Sequence, residues 1–252
     1  MRTRFKVMIL AFALLGATSA MATITGSKHD LSATGGGVAG LKATAGQSND
    51  EICVYCHTPH AANTSFTGAP LWNKVADYNS NPFKMYGASA TNTAGTTLSG
   101  ISTDTQPNNS SKACLSCHDG VNAINSMINA PGSGGYNASG ANVAFGATTA
   151  GNPKTMPSGV TQIGTDLTND HPISITYTVG KASLQATTTA LIGTWTTPSG
   201  GSTIADLLRG GKVECSSCHD PHLGENDTFL RRAKGAGYSN EGSKVCLSCH
   251  AK

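Results

Sequence analysis

Cys215-Ser216-Ser217-Cys218-His219-Asp220-Pro221-His222 contains the unit that decides the fold: a C-x-x-C-H pentapeptide with a second histidine three residues on. Three more copies stand at Cys53/Cys56/His57, Cys114/Cys117/His118 and Cys246/Cys249/His250, and the four together use all 8 cysteines. Two thiols at this spacing match the two vinyl groups of one porphyrin, while the imidazole that follows reaches the metal from below. The pentapeptide is therefore an address for covalently attached c-type haem. C-x-x-C pairs also make zinc knuckles. Four copies, each followed directly by His and with no cysteine left over, favour four c-type haems (haem iron) over zinc or disulfides.

The N-terminus carries Arg2, Arg4 and Lys6, then the apolar run Val7 to Ala17, then small residues ending in Ala20-Met21-Ala22. That is the layout of a secretory signal peptide over 1–22, and eleven apolar residues are too few for a bilayer span of about 20. Export also suits the cysteines, which outside the cytoplasm would otherwise oxidise to disulfides. Removing the leader takes three of the 17 Lys+Arg and none of the 14 Asp+Glu, leaving a polypeptide of zero formal charge. Haem propionates add negative charge, so nothing points to nucleic acid or an anionic membrane.

Residues 23–252 are expected to form a single domain organised around a chain of four haems, mostly irregular coil with a few short helices and a possible small β-hairpin. Hydrophobic residues make up 38% and aromatics 6% of the chain, with long tracts of Gly, Ala, Ser, Thr and Asn. Such a chain builds a core poorly by itself, and four large flat porphyrins are expected to supply it. Thr203 to Arg209 reads as a short helix with Thr203 and Asp206 as a capping box and Gly210 as its stop. Val121, Ile124 and Ile128 recur at helical spacing up to Pro131. Ile173 to Val179 alternates like a strand, with a weakly signalled partner around Ala190 to Trp195. Gly132-Ser133-Gly134-Gly135 and Thr187-Thr188-Thr189 read as loops. The last motif ends two residues before the end of the sequence, so no C-terminal catalytic domain is expected.

Of 8 histidines, four lie in the motifs and four are spare: His29, His60, His171 and His222. One spare imidazole per iron predicts bis-His, six-coordinate, low-spin haems that exchange electrons and have no open site. It also predicts potentials toward the low end of the haem range. His60 and His222 lie in Cys-His-Thr-Pro-His and Cys-His-Asp-Pro-His, where the iron of their own motif is already held. Each is expected to reach an adjacent haem. Chain order gives the simplest pairing, with His29, His60, His171 and His222 serving the first to fourth haems; His29 on an N-terminal arm is the alternative donor to a neighbouring subunit. Met85, Met127 and Met156 are weaker candidates for axial ligands.

Lys28-His29-Asp30-Leu31-Ser32, Cys53 to His60 followed by Ala69-Pro70-Leu71-Trp72-Asn73, and Ala113 to Gly120 resemble the extracellular multihaem c-type cytochromes of metal-reducing bacteria. Asp170 to Ser174, Cys215 to His222 and Val245 to His250 continue the match, and the doubled C-H-x-P-H elements resemble the tetrahaem members that polymerise into nanowire filaments. The resemblance implies a mostly coil fold and a continuous chain of bis-His haems. It implies head-to-tail homopolymers at the cell surface that take respiratory electrons from periplasmic or outer-membrane cytochromes to extracellular acceptors. The residues alone also allow a monomeric periplasmic shuttle. A multihaem reductase would need one open haem with acid–base groups beside it, and the balance of histidines argues against that. The expectation is an electron carrier rather than an enzyme.

Overall fold

The computed structural model describes residues 23–44, 51–66, 68–76, 82–89, 92–132, 135–146, 153–159, 161–232 and 241–251. The expected signal peptide and residues 133–134 of the glycine-rich run lie outside these. The described residues include the helices α1 (Asn109–His118), α2 (Cys215–Cys218) and α3 (Glu241–Leu247). Single 3-10 turns occupy Ile52–Tyr55, Ile204–Leu207 and Asp227–Phe229. The strands are β1 (Ala88–Ser89), β2 (Asn92–Gly95), β3 (Ser126–Asn129), β4 (Tyr136–Asn142), β5 (Ile175–Thr176) and β6 (Lys212–Val213). They form three separate antiparallel pairs, β1–β2, β3–β4 and β5–β6. Most of the described chain is turn and coil, as its composition predicts.

The expected helix at 203–209 is shorter and tighter than an α-helix. The Asp206 carboxylate accepts from the Thr203 backbone N–H at 2.9 Å and its hydroxyl at 2.6 Å, and Ile204 and Leu207 are buried. Leu208 already has extended backbone, so the helix stops there.

The helical spacing of Val121, Ile124 and Ile128 does not produce a helix. Asp119 Oδ1 accepts the N–H groups of Val121 and Asn122, both at 2.9 Å, and Gly120 turns left-handed at φ 72°. That side-chain turn competes with helix propagation. The chain leaves it as β3, with Met127 paired to Ala141 of β4 and both Met127 and Ile128 buried.

The alternating run 173–179 yields only two paired residues. Ser174 sits at φ 52°, and the partner of Ile175 is Val213 in β6, not the 190–195 segment. Ala190 bridges to Thr203 and Trp195 to Arg232 instead.

Apolar burial is divided among small clusters. One gathers Ala43, Tyr55, Ile124, Met127 and Phe145, another Phe83, Met85, Leu115 and Leu167, and a third Phe66, Ala69 and Ala113. Met85 and Met127 are fully buried inside them and act as core, not as exposed thioethers waiting for iron. Among the described residues no helix is long and apolar enough to cross a membrane.

Candidate haem attachment sites

Each motif is built on one helical turn, because only a turn places the two thiols of C-x-x-C on one side. Cys53 and Cys56 lie on the first 3-10 turn and its end, and the His57 N–H closes back on the Cys53 carbonyl at 2.8 Å. Cys114 and Cys117 lie on α1, Cys215 and Cys218 on α2, and Cys246 on α3 with Cys249 just beyond. None of the eight cysteines is joined in a disulfide.

The four motif histidines share one arrangement. His57 Nδ1 lies 2.7 Å from the Pro70 carbonyl, His118 Nδ1 2.7 Å from that of Thr161, His219 Nδ1 2.8 Å from that of Thr228, and His250 Nδ1 2.9 Å from that of Ala182. An Nδ1–H given to a carbonyl fixes the tautomer and leaves Nε2 as the lone-pair donor for a metal. Three of the four carbonyls come from turns containing non-glycine residues with positive φ. Leu71 (56°) follows Pro70, Ala182 (49°) and Ser183 (59°) face His250, and Thr228 (51°) and Phe229 (58°) face His219. Backbone strain is thus concentrated where the imidazoles are aimed. The 69–73 stretch has a further role. Thr58 and Asn63 N–H groups bond the Leu71 and Trp72 carbonyls, and the Trp72 ring stands edge-on to His57 with ring centres 5.6 Å apart.

The spare histidines are distributed otherwise than chain order predicts. His222 faces His57, with ring centres 6.2 Å apart and planes 18° apart. His29 faces His118 at 6.1 Å with planes at 73°. Two metal–imidazole bonds of about 2 Å each, laid in line, hold ring centres about 6 Å apart, so both pairs are spaced for a metal between them. His171 and His250 make no ring contact, but His250 acts electrostatically on His171, as His219 and His222 do on His29. His60 is exposed, and among the described residues neither it nor His219 makes a ring contact with another imidazole. The chain-order pairing is therefore corrected: His29 and His222 stand at the second and first motifs, not the first and fourth.

His29 also departs from the alternative of an N-terminal arm. Its ring stacks on Phe229 with centres 4.1 Å apart, the Thr23 N–H bonds the His222 carbonyl at 2.9 Å, and neighbouring Asp30 is buried. Burial first, and the charge of His118 second, lower His29 to about 4, so the ring is the neutral form a metal requires. Its Nδ1 is buried without a hydrogen bond of ordinary geometry, although the Pro221 carbonyl is close enough to act on the ring. His222 differs in its backing: its Nδ1 lies 3.0 Å from Asp220 Oδ1, and Arg231 Nη1 donates to Asp220 Oδ2 at 2.9 Å. Burial works to raise Asp220, but the His222 hydrogen bonds and the Arg231 charge outweigh it and leave the carboxyl at about 2.

The motifs neighbour one another in chain order. Burial and then Cys117 push the Cys56 thiol up to about 12. The Cys114 and Cys215 thiols are near enough to act on one another, which raises Cys114 and lowers Cys215. Burial and then Cys249, with Cys215 and Cys246, push Cys218 up to about 12. Serines seal the join between α1 and α2: Ser110 meets Ser216, and the Ser111 hydroxyl accepts the Cys215 N–H at 2.9 Å while donating to Glu214. The residues present fit haem. They offer paired thiols on turns, tautomer-fixed imidazoles, and opposed imidazoles at metal-spanning distance.

No curated protein matches the chain. Residues 208–252, holding the third and fourth motifs, match the family described as the doubled CXXCH motif. That motif indicates covalently bound c-type haem in the manner of multihaem c-type cytochromes, a group typically of electron carriers.

Proposed function

We propose that this protein is a tetrahaem electron conduit of the kind typified by the filament cytochrome OmcE, carrying respiratory electrons outward through four bis-His haems. Haem bound at each motif supplies a one-electron ferric/ferrous couple. The chain's own residues fix its place and its ligands. What carries the reading is that the motifs neighbour one another in chain order: Cys117 packs on the cluster around Tyr55 of the first motif, Ser111 of α1 takes the Cys215 N–H, and Cys218 and Cys249 are near enough to act on one another electrostatically. Four attachment sites that neighbour one another in chain order suit relay.

The ligand sets proposed are His57 with His222, His118 with His29, and His250 with His171. This leaves His60 and His219. Because His60 is exposed, we assign it to the His219 haem of a second copy, so that a coordination bond joins subunits head to tail. The leader 1–22 would export the chain, and an extracellular acceptor would take the electrons.

Electron paramagnetic resonance on oxidised holoprotein, beside its intact mass, tests this. The mass should show four haems. The assembled protein should be entirely low-spin, and dilution to monomer should release one high-spin haem. His60→Ala should block assembly and leave that high-spin haem permanently. A holoprotein that is monomeric at every concentration, with four low-spin haems, would instead identify a periplasmic shuttle. A high-spin haem persisting in the assembled wild type would favour a reductase.

A further inference from the structure

The two C-H-x-P-H elements are alike in sequence except at x, which is Thr58 in one and Asp220 in the other. Their surroundings differ accordingly. The buried Thr58 hydroxyl donates to the His60 carbonyl at 3.1 Å and accepts from Asn129 Nδ2 at 2.9 Å, leaving the His60 ring without an anionic neighbour on its own element. Asp220 takes both the backbone N–H and the Nδ1 of His222, each at 3.0 Å through Oδ1. Its other oxygen is held by Arg231, which is buried and itself anchored by bonds from Nε to the Ser216 carbonyl at 2.7 Å and from Nη1 to the Thr196 carbonyl at 3.0 Å. The carboxylate is clamped from behind and has no freedom to turn away from the ring.

Every motif histidine has a neutral carbonyl behind its Nδ1, whereas His222 has a carboxylate. An anionic acceptor draws the Nδ1 proton toward itself and pushes electron density to Nε2, and a more basic ligand stabilises ferric over ferrous iron. We propose that Asp220, clamped by Arg231, is a positioning residue that holds the iron of the His57–His222 pair at a lower reduction potential than carbonyl-backed histidines would give. This rests on the proposed ligation of the first haem by His222. It makes the first haem electrostatically distinct, although its ligand type is the same as that of the others. Arg231 limits the effect by offsetting part of the charge, while holding the carboxylate in register.

The test is a spectroelectrochemical titration of holoprotein with Asp220→Asn, Asp220→Glu and His222→Met, singly and with Asp220→Asn combined with His222→Met. Asp220→Asn keeps an acceptor for His222 Nδ1, removes the charge and gives up the bond from Arg231. One of the four potentials should rise by on the order of a tenfold change in the oxidised-to-reduced ratio, about 59 mV for one electron. All haems should stay low-spin, and Asp220→Glu should retain the low potential. In the His222→Met background Asp220→Asn should have no effect, because its route to the iron is gone. Unmoved potentials with all haems low-spin would overturn the proposal while leaving the ligation intact. A shift that persists with Met at position 222 would also overturn it, showing that Asp220 acts on another haem. His222→Met that leaves every spectrum unchanged would overturn the ligation itself.

Discussion

Histidine has two ring nitrogens, and this chain gives them separate duties. The thiols and imidazoles of the four motifs are legible in the sequence because haem attachment demands those residue types at that spacing. The groups behind Nδ1 are not, because a carbonyl belongs to every residue. Nothing marks Pro70, Thr161, Ala182 or Thr228 in advance. Asp220 was visible as a letter inside C-H-D-P-H, but its use depends on Arg231, 11 residues away. The buried carboxyl of Glu214 has a testable cost. Glu214 is buried next to Cys215, with Oε2 taking the Ser111 and Ser174 hydroxyls and Oε1 unpaired. Burial raises its pKa above the ordinary 4.5, and the two hydroxyls only partly oppose that. A carboxyl raised in the folded state binds its proton more readily there than when unfolded. Its contribution is therefore fully present below about 4.5 and lost as pH climbs through the folded value. Glu214→Gln should flatten that loss, making the variant more stable relative to wild type at neutral than at acid pH in paired thermal melts of the holoprotein.

Short elements here serve as mounts. Of the seven described non-glycine residues with positive φ, five lie in the three strained turns that face His57, His219 and His250. A left-handed alanine costs about 1 kcal/mol against glycine. Ala182→Gly should accordingly gain about that much stability in a denaturant titration while leaving the absorption spectrum unchanged; a spectral change would mean that the turn does more than present its carbonyl. The helix expected across Val121, Ile124 and Ile128 failed because periodicity ignores Asp119, whose side chain closes a turn before a helix starts. The 203–209 helix succeeded in outline because its cap is local. Partners of strands were illegible for the opposite reason, since β5 meets β6 across the 35 residues 177–211. On α1, Leu115 is fully buried against Phe83, Met85 and Leu167. Leu115→Ala should cost about 2–5 kcal/mol, read as a lowered unfolding midpoint with all haems still attached.

For the molecule as a whole, composition indicated a sparse core, and the small apolar clusters agree with it. Without haem these clusters are poor grounds for a stable fold, so Cys114→Ser should weaken more than one site. It should reduce covalent haem at the second motif and lower the unfolding temperature of the entire chain, because α1 joins the first, second and third motifs; a variant that loses haem without losing thermal stability would refute a shared core. Pairing of histidines was beyond the sequence, since it depends on a loop returning from residue 222 to residue 57. That return has a consequence in time. A ribosome releases His57 long before His222 exists, so on the proposed pairing the first iron to be secured is among the last to be completed. His29, by contrast, precedes its partner His118 and is waiting when the second motif emerges. The polypeptide thus sets a schedule of maturation that runs out of step with its numbering, and a truncation before residue 222 should yield an attached but unfinished first haem.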